Sequence, residues 1–188
     1  MSRSPPTLRR WWHGCGAKTE PVGRYSGLPL LVLAAVLQGA VLPEFRIGGA
    51  GFDLVLLIVL SWTILMGAEE GAIWAVVGGL LHDLAGGRLL GTGAVAMVAA
   101  SGAVSLIFNE VGRGNLIVPP LAAAVGTVVF QTVLIVVLNV FGSSVPVFYA
   151  LVNVTLISVL YNVPLMIVVF RVVGWLARPS GRGRRMTF

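Results

Sequence analysis

The chain has 188 residues, of which 57% are hydrophobic and only 11% charged, and its mean hydropathy is +0.94. That balance excludes an ordinary soluble globular domain and points to an all-α polytopic membrane protein. The net charge of +6 is unevenly placed: residues 1–27 hold five Lys/Arg and one Glu, residues 171–188 hold five Arg and no acid, and residues 28–170 hold three Arg against six Asp/Glu.

Both tails therefore read as cytoplasmic, which requires an even number of crossings. Basic residues that flank apolar segments are explained by anionic lipid headgroups, so no nucleic-acid partner is expected. Cys15 is the only cysteine, which rules out an intrachain disulfide and any CxxC metal or redox site.

Three segments follow from these shifts: a basic cytoplasmic arm over 1–27, a transmembrane domain over 28–178 and a basic cytoplasmic tail over 179–188. The arm has no periodicity and no signal-peptide pattern, and its Trp11 and Trp12 suit either the headgroup level or a partner. The first crossing is predicted from Leu28 to Phe45, with Pro29 in its first turn and Gln38 as its interior polar group. Pro43, Arg46 and Gly48–Gly49 break it. A second crossing runs from Phe52 to Met66, with Asp53 at its start, where a helix N-terminus tolerates negative charge.

Only Gly67–Gly71 separates the second and third crossings, which predicts a tight antiparallel hairpin with Glu69 and Glu70 in the first turn of the next helix. The third crossing spans Ala68–Leu84. Steps of four residues from Gly71 give Ala75, Gly79 and Asp83, so small side chains and one carboxylate share a slowly drifting face. Such a face lets a neighbouring helix approach closely, the usual mode of packing in lipid. An intramembrane carboxylate is also a functional candidate, so close packing and a working role both stay open for Asp83. Its partner would be Arg88 or backbone amides of the glycine-rich link, Ala85–Gly93, which reads as bent or re-entrant.

The fourth crossing is predicted over Ala94–Phe108, followed by the polar loop Asn109–Asn115. Pro119 and Pro120 open the fifth, Ile117–Phe141, whose interior polar positions are Gln131 and Asn139. A turn at Gly142–Pro146 leads to the sixth, Val147–Trp175. There Pro164 takes a donor from the helix and leaves the Leu160 carbonyl unpaired. Asn162 or Tyr161 would satisfy freed groups or bond to another helix, and Arg171, Trp175 and Arg178 read as interface anchors.

Catalysis is not expected. His82 and Asp83 are adjacent, hence about 100° apart around a helix, and point in different directions. Few other ionisable groups converge at depth, a shortage that also counts against a channel or proton-linked carrier. There is no GxSxG elbow, no Walker loop, no second membrane histidine for a metal, and Lys18 is the sole lysine. No cofactor is implied.

The order Gly71, Gly79-Leu80-Leu81, Asp83, then Leu90-Gly91 and a small-residue helix resembles the GLLxD…LG pattern of the MreD family of rod-shape-determining membrane proteins. Pro29 at the first helix and the late Tyr161-Asn162 are similar to it too. The longer basic arm and His82 before Asp83 depart from it. The resemblance implies six transmembrane helices in the fold of the substrate-binding subunits of vitamin (energy-coupling factor) transporters. It also implies a non-enzymatic subunit of the cell-elongation machinery in the bacterial inner membrane. Partners would be an MreC-type scaffold and, through it, MreB filaments, a RodA-type glycosyltransferase and a class B penicillin-binding protein, with membrane lipids around them. The positions carried over are Gly71, Gly79, Asp83, Gly91 and Asn162, which with Ala75 form the expected packing face or partner groove. The alternative is a vitamin-binding transporter subunit, for which the polar candidates are Gln38, Asp83, Gln131, Asn139, Asn153 and Asn162.

Overall fold

A computed structural model describes residues 27–41, 51–87, 89–108, 117–142 and 150–176. The expected arm and tail, the helix break around Pro43 and Arg46, Arg88, the loop Asn109–Asn115, most of the turn at Gly142–Pro146 and Arg178 lie outside those residues. Among the described residues the chain is all-helical: α1 (Gly27–Val41), α2 (Leu54–Met66), α3 (Ala68–Gly86), α4 (Thr92–Phe108), α5 (Val118–Val140) and α6 (Thr155–Leu176). One π-helical turn, Ala150–Val154, leads into α6.

The arrangement centres on α2. Its sequence, LVLLIVLSWTILM, is apolar on every side, and a helix of that kind has to be surrounded. Nine consecutive residues, Val55 to Thr63, are buried, and α2 touches each of the other five helices. Around it α3 packs on α4, α4 on α5 and α5 on α6, while α1 lies against α2 and α3. The two polar side chains in the buried run return their hydroxyl protons to α2 itself, Ser61 to the Leu57 carbonyl at 2.7 Å and Thr63 to the Val59 carbonyl at 2.9 Å.

The α2–α3 hairpin is as tight as expected. One residue, Gly67, joins the helices with φ 102°, a conformation that favours glycine. Its amide donates to the Thr63 carbonyl at 2.9 Å. One turn on, an added Cβ at Gly71 would collide with the Thr63 side chain, so the hairpin stays closed only because Gly71 has none.

Boundaries differ from the expectation where glycine and proline were the guides. The third helix continues through Gly86, and the fourth begins at Thr92 rather than Ala94, which shortens the predicted Ala85–Gly93 link. The start of the predicted sixth helix lies outside the described residues; its described part is a π turn over Ala150–Val154 and then an α-helix from Thr155 that continues through Pro164.

Polarity is turned outside in. Asp53, His82, Asp83, Thr127 and Asn162 are buried, while Leu33, Val36, Leu84, Leu106, Leu156 and Leu160 are exposed. Two helices, Val118–Val140 and Leu151–Leu176, are long and apolar enough to cross a membrane; Gly27–Ala40, Leu54–Met66 and Thr92–Phe108 are shorter apolar helices.

Because Leu57 on α2 is fully buried, Leu57→Ala should cost about 2–5 kcal/mol. Leu33→Ala on the exposed face of α1 is the control. Thermal unfolding of both variants in the same detergent checks this, and equal losses would contradict a central α2.

Candidate functional site

Consecutive antiparallel helices bring the end of α1, the start of α2, the end of α3 and the start of α4 to one end of the bundle. Two buried carboxylates meet their partners there.

The first is Asp83, fully buried on α3. Its Oδ2 accepts the Gly91 amide at 2.8 Å, and the Gly93 amide donates to Oδ1 at 2.9 Å and Oδ2 at 3.0 Å. Thr92 Oγ1 sits 3.3 Å from Oδ1 and also donates to the Leu89 carbonyl at 2.9 Å. These amides open α4, where free N–H groups and the helix dipole favour an anion. Asp83 is thus a cap for α4 supplied by the preceding helix. Of the two partners expected from sequence, the backbone amides serve; Arg88 lies outside the described residues.

Two glycines make that cap possible. Gly91 adopts φ 101°, which turns the chain into α4 with its amide toward Asp83. At Gly79, one turn before Asp83, an added Cβ would run into the Ala94 backbone, and into the Gly93 carbonyl carbon at 2.8 Å. Helices α3 and α4 therefore meet backbone to backbone at Gly79. Three residues of the GLLxD…LG pattern, Gly79, Asp83 and Gly91, come together in this seam. Gly71 and Ala75 share the buried face of α3, but Gly71 meets Thr63 on α2, so the face turns from α2 toward α4 along its length.

The second carboxylate is Asp53, the residue before α2. Its side chain makes no capping bond to its own helix. Instead Oδ1 accepts from Gln38 Nε2 of α1 at 2.6 Å and pairs with His82 Nε2 of α3 at 3.1 Å. The free amides at the start of α2 are capped from elsewhere. Gln38 Oε1 accepts the Val55 amide at 3.2 Å, and Asn162 Oδ1 on α6 accepts the Asp53 amide at 3.0 Å. Asn162 Nδ2 then donates to Thr127 Oγ1 on α5 at 3.0 Å. Five helices are joined through this cluster. Asn162, expected in the same interface as Gly79 and Asp83, belongs here.

Asp53 and His82 correct the expectation that ionisable groups do not converge. His82 and Asp83 do point apart, as neighbours on a helix must, but His82 reaches Asp53. With Asp53 as acceptor, Nε2 carries a proton. The imidazole and the Phe130 ring of α5 meet in a T-shaped pair, centroids 5.5 Å apart and planes at 87°. Its Nδ1 is buried with no hydrogen-bond partner among the described residues. A carboxylate and an imidazole in contact can hold or pass a proton. Among the described residues no three His, Cys, Asp or Glu side chains gather to hold a metal ion.

Sequence reasoning placed Asp53 at a helix N-terminus and Gln38 inside the first crossing without joining them. The available signal was that both, with His82, fall at the same end of successive antiparallel helices.

Comparison of the chain with protein-family models, with characterised proteins and with solved structures returned no match.

Asp83→Ala removes the acceptor of two amides, and each unsatisfied buried group should cost about 1–3 kcal/mol. Gly79→Ala should also destabilise, because backbone must move. Gly102→Ala on α4, where an added Cβ meets nothing within 4 Å, should be neutral or gain up to about 1 kcal/mol from helix propensity. Unfolding of the three variants side by side tests the seam; similar behaviour of Gly79→Ala and Gly102→Ala would disprove the close approach.

Proposed function

We propose that this chain is a multi-pass protein of the bacterial inner membrane, with six crossings and both termini cytoplasmic. We propose further that it serves as a non-enzymatic subunit of the cell-elongation machinery, in the manner of the MreD family. The membrane reading is supported by the apolar exterior around a polar interior, since large exposed apolar surfaces are rare on water-soluble monomers. Helix α2 has 13 residues, about 20 Å at 1.5 Å each, short of a hydrocarbon core of about 30 Å. Ringed by protein, it has no need to match lipid thickness.

The observation that carries the functional reading is the seam at Gly79, Asp83 and Gly91. The residues of the family-like pattern are engaged in fixing one helix on the next, and none presents a reactive group. Such a bundle offers a shaped, rigid surface to another membrane helix, as an MreC-type scaffold would require. Through that scaffold it would be tied to MreB filaments, a RodA-type glycosyltransferase and a class B penicillin-binding protein.

The second reading, a substrate-binding subunit of a vitamin transporter, is favoured by the buried Gln38–Asp53–His82–Asn162 cluster and its unpartnered Nδ1. It accounts for a polar interior that pure scaffolding does not need.

Affinity purification of the full chain from its native membranes separates the two. A single-span scaffold protein recovered in stoichiometric amount is the expected result. Recovery without such a companion, together with tight binding of a vitamin by the isolated protein, would replace the first reading with the second.

A further inference from the structure

Helix α1 stands at one end of the ring: it packs on α2 and on a single ring neighbour, α3, as α6 at the other end packs on α2 and α5. Its buried positions, Gly27, Leu31, Ala34, Ala35 and Gln38, form one narrow stripe of mostly small residues, and much of what lies between is exposed. Among the described residues its side-chain hydrogen bonds to the bundle are the two made by Gln38, to Asp53 and to the Val55 amide.

The two ends of α1 are not equivalent. At Gly27 the fit is tight: an added Cβ would lie 3.1 Å from Trp74 Cη2 and 3.3 Å from Trp62 Cη2, against a tilted Trp pair. At the other end Gly39 makes only ordinary contact with α3, its added Cβ 3.6 Å from the Cβ of Ala85. Directly behind that looser end Gln38 covers Asp53 Oδ1, the same oxygen that meets His82.

We propose that α1 is a lateral lid over the Asp53–His82 pair, pivoting at Gly27 and held shut by Gln38. When Gln38 lets go, Asp53 Oδ1 gives up one donor and the imidazole becomes reachable from the side of the bundle. The group that holds the lid open is then one able to donate a hydrogen bond to a carboxylate, in place of the Gln38 amide. The lid does not depend on the rod-complex reading, and its failure would leave that reading untouched.

The chain has two histidines, so His13→Gln leaves His82 as the sole imidazole, and its modification by diethyl pyrocarbonate can be read by mass spectrometry in native membranes. In the closed state both ring nitrogens are shielded, one by Asp53 and one by burial. The 3.6 Å separation at Gly39 and Ala85 suits a disulfide, whose Cβ atoms lie about 3.5–4.5 Å apart. In a His13→Gln, Cys15→Ser background, Gly39→Cys with Ala85→Cys should cross-link. Modification of His82 should proceed in the reduced protein, as in a Gly39→Cys control, and be lost on oxidation. Gln38→Leu, without cysteines, should speed it. Equal modification of the reduced and oxidised forms, no modification in either, failure to cross-link, or an unchanged rate in Gln38→Leu would each overturn the lid.

Discussion

A carboxylate taken wholly out of water has to find donors within the protein, because an unpaired buried charge costs several kcal/mol. Asp83 finds them in the Gly91 and Gly93 amides, which the next helix leaves unpaired at its own start. The two needs cancel each other, and hydrogen bonds to a charged group contribute about 1.5–3 kcal/mol each. The geometry this demands is narrow. The amides reach the carboxylate only if α3 and α4 touch through backbone at Gly79. At Gly93 an added Cβ would press on the carboxylate itself, 3.1 Å from Asp83 Cγ. Once α4 is set, α5 packs on it and α6 on α5, so the order of the ring follows from one cap.

Asp53 meets the same requirement by another route. Asp83 is served by groups eight to ten residues ahead, whereas among the described residues the groups bonded to Asp53 and its amide include ones 15, 29 and 109 residues away. A cap closed over ten residues needs only two successive helices. The cluster at Asp53 needs α1, α2, α3 and α6 in place together, with Thr127 of α5 behind Asn162. The seam at Asp83 therefore fixes neighbours, while the cluster at Asp53 fixes the whole end of the bundle and records whether all its parts have arrived.

This difference in range decided what could be read from the sequence. The apolar helices, the hairpin at Gly67 and the shared face of Gly71, Ala75, Gly79 and Asp83 follow from local spacing, and the glycine-rich link was already a candidate donor to Asp83. The pairing of Asp53 with His82 was not visible. Nothing in a local window distinguishes an aspartate that caps its own helix from one that faces two other helices. Nor could the eleven apolar residues of α2 announce that protein, rather than lipid, surrounds them; both environments select the same side chains. The π turn before Thr155 escaped for a related reason, since its five residues, ALVNV, have no special composition.

The bundle is unequal from end to end, and this limits what its polar groups can do as it stands. Near Gly67 the interior is closed by the Trp62–Trp74 pair, its ring centroids 5.5 Å apart, with Gly27 beneath it. At the opposite end Asp53 Oδ1 already accepts from Gln38 and His82, and His82 has Phe130 against its ring. Its remaining nitrogen is sealed from solvent. A general base must be within reach of the proton it removes, and here no path to Nδ1 is open. Chemistry or binding at this pair requires an element to move. Helices α3, α4 and α5 are each wedged between two ring neighbours that would have to move with them, and α6 lies on α2 and α5 over 22 residues, whereas α1, of 15 residues, rests on its two supports through a narrow stripe and a single amide side chain.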